Sequence, residues 1–252
     1  MHYLDFLAQL HERLAPPTYL EIGIRHGVSL ALTRSVAVGI DPHYRLREPL
    51  PPDVTLFRET SDEYFERDDP LEALDDRRIG LSFIDGLHLA EFALRDFVNV
   101  ERHADWTSVI VFDDIFPADA EMAARDRQTR LWTGDVYKVL AILADHRPDL
   151  ICLRVDTEPT GLLLVLGADP HSTVLRDRYD ALARAIDVPD PQDVPAEVLE
   201  RRGALDARRV LDAGFWDDVR AAREDPELIR PIGLRRLRRR VRRDLRRLRA
   251  SA

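Results

Sequence analysis

Cysteine is nearly missing from this chain. Cys152 stands alone among 252 residues, which excludes an internal disulfide and fits a reducing compartment. Lysine is as scarce: Lys138 is the only one, and the remaining basic residues are arginines, a bias read first as genomic composition. No apolar run approaches the roughly 18–20 residues that cross a bilayer; the longest is "GLLLVLGA". The opening "MHYLDFLAQLHERL" is an amphipathic helix interrupted by charge and not a signal peptide. There is no G-x-G-x-x-G fingerprint for a pyrophosphate. A cytoplasmic protein is expected, with room for peripheral contact at the inner membrane surface.

Hydrophobic residues make up 45% of the chain, enough for a proper core. Charge is unevenly spread. Segment 230–252 holds eleven arginines and one aspartate, about +10, so the rest of a chain with formal charge −9 carries about −19. An acidic body with a basic tail results.

Apolar runs at 18–24, 36–42, 79–86 and 108–116 are nearly continuous, as strands covered on both faces must be. "VTLFRET" (54–60) is a weaker fifth. Helical periodicity alternates with them, most clearly over 88–103, which argues for an α/β sheet with right-handed crossovers. Two further runs, 150–156 and 161–167, are separated only by "TEPT". That gap is too short for a helical crossover, so they pair antiparallel. The expected fold is a doubly wound, mostly parallel, seven-stranded sheet with a terminal antiparallel hairpin. This is the arrangement of the S-adenosylmethionine-dependent methyltransferase fold. We divide the chain into that domain (1–169), a helical extension (170–229) and an Arg-rich amphipathic tail (230–252).

Open α/β sheets bind ligands beyond the carboxyl ends of their strands. There, "YLEIGIRHGVS" offers Glu21, Gly23, Gly27 and Ser29. Glycine lets the backbone turn and approach a ligand closely. Asp41 ends the second run, eighteen residues past Gly23, where a carboxylate can accept from both ribose hydroxyls. Ser61 follows the third run, either near an adenine or as a helix cap. A dinucleotide would use the same geometry. The absent third glycine and the acidic Glu21, suited to an ammonium, favour S-adenosylmethionine. The expected cofactor-binding set is Glu21, Gly23, Gly27, Ser29, Asp41, Ser61 and Asp85.

"FIDGLH" and "VIVFDD" end two strands that should be neighbours, which brings Asp85, Asp113 and Asp114 together. Three clustered carboxylates repel, and a hard divalent cation such as Mg²⁺ removes the problem. It would also lower the pKa of a bound acceptor hydroxyl. His88, three residues past Asp85, is the candidate catalytic base, kept neutral by the positive end of its helix. The bland alternatives are strand-ending or capping aspartates and a histidine bonded to a carbonyl.

Together, "YLEIGIRHGVS", "VGIDP", "FIDGLH" and "VIVFDD" resemble class I S-adenosylmethionine-dependent methyltransferases, over roughly residues 15–168. The likeness is strongest to the cation-dependent O-methyltransferases, within them the macrocin and mycinamicin type that act on macrolide sugars. That resemblance implies Mg²⁺ on Asp85, Asp113 and Asp114, and His88 as base. The expected activity is O-methylation of a sugar or other small hydroxylated metabolite. The alternatives are a metal-independent methyltransferase of the same fold and a non-catalytic nucleoside-binding adaptor; a nicotinamide enzyme is more distant.

"RDRQTRLWTGDVYKVL" (125–140) follows the fifth strand and reads either as an acceptor-binding cover carrying Trp132, Tyr137 and Lys138, or as a surface loop entering a helix. In the tail, Leu234, Leu237, Val241, Leu245 and Leu248 share one helical face amid arginines. A solvated tail is the plain reading. An anionic membrane surface is the next, since a glycolipid acceptor would suit it; packing against the acidic body or a partner subunit of a homo-oligomer is a further alternative. Nucleic acid is not expected, because no aromatics are interleaved for base stacking.

Overall fold

The computed structural model describes residues 1–47, 49–75, 77–224 and 231–250, with side chains of 231–233 and 248–250 left aside. The first helix is α1 (Tyr3–Leu14). The apolar runs become β1 (Thr18–Ile22), β2 (Val36–Ile40), β3 (Val54–Phe57), β4 (Leu81–Ile84) and β5 (Val109–Phe112). The helices α2 (Ser61–Phe65) and α3 (Ala90–Arg102) lie between them. Then follow α4 (Val139–His146), β6 (Ile151–Asp156), β7 (Leu162–Leu166), α5 (Val174–Ile186) and α6 (Ala196–Leu199). The chain closes with β8 (Leu205–Asp206), α7 (Ala207–Leu211), α8 (Phe215–Glu224) and α9 (Pro231–Ala250).

These strands form one sheet in the order β3-β2-β1-β4-β5-β7-β6-β8. The first five are parallel, and β7 runs antiparallel between β5 and β6. The expected seven strands become eight. Two residues, Leu205 and Asp206, pair in parallel with Val155 and Asp156 at the β6 edge; so short a strand leaves no alternation to read. Between β1 and β2 there is room only for a 3-10 turn at Leu30–Leu32.

Alternating side chains split the core into two layers, because successive residues on a strand face opposite sides. Leu20, Ile22, Val38, Ile84, Ile110 and Phe112 pack under α2 to α6, with Phe97 of α3 and Leu175 of α5. Tyr19, Ala37, Phe83, Val109 and Val111 pack under α1, α7, α8 and α9, with Phe6, Phe215 and Trp216. The apolar face of α9 joins this second layer: Leu237 and Val241 are buried there, with Leu234 and Leu245 against it. Leu248 lies outside the described side chains. The outward residues Arg235, Arg236, Arg239, Arg242, Arg243 and Arg246 are exposed. No helix among the described residues is long and apolar enough to cross a membrane.

The parallel ladder continues one residue past the strands. Gly23 N–H donates to the Ile40 carbonyl, Asp41 N–H to Phe57, Asp85 N–H to Ile22 and Asp113 N–H to Ile84. One glycine and three aspartates are thereby aligned in a row at the sheet's carboxyl edge.

Candidate active site

Two adjoining cavities open along this row. The larger, about 570 Å³, is lined by Gly23, Asp41, Asp85, His88, Asp113 and Asp114 among others. The smaller, about 240 Å³, shares Gly23, Asp41, Gly86 and Leu87 with it and adds His43, Ser61, Asp62, Phe92 and Asp96.

Gly23 is required where the cavities meet. Its φ is +90°, and a Cβ would stand 1.9 Å from the Asp85 carbonyl oxygen. Nothing larger than hydrogen fits. Asp41 sits beside it, with Oδ2 accepting from Arg25 N–H at 2.7 Å and Oδ1 from His43 N–H at 2.6 Å. Two backbone donors thus fix the carboxylate in the lining of both cavities.

Three residues of the expected cofactor set are elsewhere. Glu21 is fully buried, and its carboxylate accepts from Tyr19 Oη at 2.7 Å and Ser29 Oγ at 2.6 Å. Burial raises its pKa to about 7 against the lowering effect of both hydroxyls. It belongs to the α1 side of the sheet because β1 continues through Ile22, so Glu21 shares Tyr19's face. Gly27 closes the turn through its N–H to the Ile24 carbonyl. Neither cavity has Glu21, Gly27 or Ser29 in its lining. Ser61 does line the smaller cavity, one residue inside α2; the cap is Thr60.

At the floor of the larger cavity, ligand atoms of Asp85, His88 and Asp114 lie within 4.8 Å of one another. His88 Nδ1 is 2.6 Å from Asp114 Oδ2, and Nε2 is 3.4 Å from Asp85 Oδ1. The Trp132 carbonyl is 3.0 Å from Nδ1. Both His88 (φ +57°) and Asp114 (φ +63°) have left-handed backbones, a strain that clusters at functional sites. Gly134 holds His88 in place: a Cβ there would lie 1.7 Å from the His88 carbonyl oxygen. Asp113 is adjacent, but its Oδ1 accepts from Asp114 N–H at 2.8 Å and Thr160 Oγ1 at 3.2 Å.

Burial, then Asp113, raises the Asp85 pKa. Burial and then Asp114 push Asp113 up to about 8. Burial disfavours the imidazolium of His88, yet the Asp114 hydrogen bond and the three carboxylates outweigh it and raise His88 to about 9. The carboxylates around it thus favour the imidazolium, where its place ahead of a helix favours the neutral ring. The helix α3 begins two residues later, and its Ala90 N–H donates to buried Asp135 Oδ1 at 2.8 Å. Asp85 and Asp113 are pushed toward their neutral acids, so a cation bound there would displace their protons and offset the crowding of three carboxyls. The donor set, carboxylate oxygens with one imidazole, suits a divalent cation.

Sequence reasoning missed several lining residues. Tyr3 reaches the larger cavity because residues 1–3 bond to Glu158 at the β6–β7 turn. Thr160 comes from the same turn. Asp96, on α3, is 4% exposed and accepts from Ser61 Oγ at 2.5 Å, with burial raising its pKa to about 7. Its position on the apolar face of α3 was the available signal.

Residues 20–115 match the family model described as a methyltransferase domain. Among solved structures, an O-methyltransferase from Bacillus cereus in complex with SAH shares 12% identity, at a TM-score of 0.49, over 66% of this chain and 80% of that one. The O-methyltransferase TomG from Streptomyces achromogenes, involved in tomaymycin synthesis and solved with SAM, shares 14% at 0.48, over 66% and 79%. No curated protein matches the sequence. The matched span runs from within β1 through β5 and ends just past Asp113 and Asp114, and the sheet order is that of the class I fold. Over residues 20–115, then, this chain is similar to a methyltransferase domain.

Proposed function

We propose that this protein transfers a methyl group from S-adenosylmethionine to a hydroxyl of a sugar or other small hydroxylated metabolite, assisted by a divalent cation such as Mg²⁺. The convergence of Asp85, His88 and Asp114 on one point, beside a cavity edged by Gly23 and Asp41, carries this reading. S-adenosylmethionine, when bound, supplies an electrophilic methyl on its sulfonium. A cation, when bound, holds the acceptor oxygen and lowers its pKa.

The chain's own residues do the rest. Gly23 leaves the backbone open at the junction of the cavities, Asp41 would accept ribose hydroxyls, and Ser61 and Asp96, in the lining of the smaller cavity, would meet the base. Asp85 and Asp114 would be the principal cation ligands. Asp113, steadied by Thr160, adds negative charge and fixes the Asp114 backbone. His88 takes the acceptor proton once the charge of its carboxylate neighbours is balanced; alone with them, it is held toward its protonated form. Trp132, stacked 5.0 Å from His88 with planes 12° apart, orients the ring. The arginine-covered outer face of α9 favours electrostatic contact with an anionic surface over insertion, because its apolar residues are packed against the body.

A thermal-shift matrix tests the reading: SAH with and without Mg²⁺, and with EDTA. At a hundredfold excess over Kd, SAH should stabilise by about 2.7 kcal/mol, roughly 5–10 °C for a domain of this size. Mg²⁺ should add to that shift and EDTA remove the addition. No response to SAH overturns the cofactor assignment. A response to SAH alone, with methylation surviving EDTA, supports a metal-independent enzyme instead.

A further inference from the structure

Part of the larger cavity's lining is basic and apolar instead of acidic. The loop between β5 and α4 contributes Arg127, Arg130, Leu131 and Trp132, and the segment after β4 contributes Leu87. Leu87 and Leu131 are each 59% exposed, more than any other large apolar side chain described. Single exposed leucines need no explanation, but two on the rim of one cavity, beside an indole, form an apolar lip. That indole is fixed, since Trp132 Nε1–H donates to the Ala124 carbonyl at 2.6 Å while its ring stacks on His88.

The arginines of this loop fall into two groups. Arg125 is anchored to Glu91 at 2.5 Å, Asp135 at 2.7 Å and Asp187 at 3.1 Å, tying the loop to α3 and to the segment after α5. Arg127 instead lies over the Trp132 ring, 5.9 Å from its centroid, and donates only to the carbonyls of Thr129 and Arg130. Among the described residues, neither Arg127 nor Arg130 has a carboxylate within ion-pair distance, although four aspartates line the same cavity. Arg25, also in the lining, is on the cofactor side, beside Asp41. A guanidinium presents a planar fork of donors that matches a carboxylate or phosphate.

We infer that the acceptor is an amphiphilic oxyanion: a hydroxylated molecule whose phosphate or carboxylate is held by Arg127 and Arg130, with an apolar portion against Leu87, Leu131 and Trp132. This rests on the methyltransferase reading above and narrows its acceptor.

The test is calorimetric titration of the full chain in EDTA, with and without SAH, using phenyl phosphate, benzoate and benzyl alcohol. At least one charged probe should bind about tenfold more tightly than benzyl alcohol, and the two charged probes compare phosphate with carboxylate. The Arg127→Ala/Arg130→Ala double variant should bind all three alike while keeping its SAH affinity. Arg242→Ala/Arg243→Ala, on the far helix α9, should change nothing. Equal binding of benzyl alcohol, no measurable binding of either charged probe, or a preference surviving in the loop variant overturns the inference. Failure to bind SAH would count against the cofactor reading alone, because the probes are also titrated without it.

Discussion

Replacing Glu21 with glutamine tests how the strand end is built. The folded carboxyl titrates near 7 against 4.5 for an ordinary glutamate, because burial outweighs the hydroxyls of Ser29 and Tyr19. The folded protein therefore binds this proton more tightly than the unfolded chain. The associated stability is fully present below about pH 4.5 and is lost as pH rises through 7. At about 1.4 kcal/mol per pH unit, the penalty of the ionised group above pH 8 is about 3 kcal/mol. Glutamine cannot ionise, though it replaces a two-oxygen acceptor with one oxygen and one amide. Glu21→Gln should thus gain about 1–3 kcal/mol over the natural chain at pH 8.5 and nothing at pH 5. Urea unfolding at pH 5, 7 and 8.5 measures this directly. Because the carboxylate is closed off from both cavities, SAH affinity should change by less than about threefold. A stability difference that ignores pH would refute the linkage. A tenfold loss of SAH affinity in a folded variant would show that Glu21 meets the cofactor after all.

Gly23→Ala should abolish SAH binding and destabilise the fold by at least about 2 kcal/mol, since its Cβ would collide with the Asp85 carbonyl at 1.9 Å and φ is +90°; calorimetry and urea unfolding check both. Cation affinity should rise about tenfold or more from pH 6.5 to 8.5, because Asp113 and His88 hold protons up to about 8 and 9 that a bound cation must displace; Mg²⁺ titrations at the two pH values read it. Leu237→Ala should cost about 2–4 kcal/mol by chemical denaturation, since the side chain is 1% exposed; a solvated tail would show no loss.

The strand ends were legible because buried parallel strands are continuous apolar runs, and the acids that stop them are visible as interruptions. Asp41, Asp85, Asp113 and Asp114 could therefore be placed at one edge before any coordinates. The side that Glu21 takes was not legible: a place inside the 18–24 run does not say which face of β1 it occupies, and it shares Tyr19's face with the α1 layer. Tyr3 reaches the site through a contact made far along the chain, to Glu158, which local periodicity cannot reveal; of the two readings of the 125–140 segment, the place of Trp132 against His88 agrees with a cover over the site. The apolar stripe of α9 was plain and packing on the acidic body was among its readings; which surface covers it, α8 and β8, was not.

The most direct test is a Mn²⁺ titration of the SAH-loaded protein followed by electron paramagnetic resonance, comparing the natural chain with Asp114→Asn. One tightly bound ion per chain, weakened at least about a hundredfold in the variant, is the predicted result. Absence of a bound ion, or an unchanged one in the variant, would contradict a shared cation at the ends of β4 and β5.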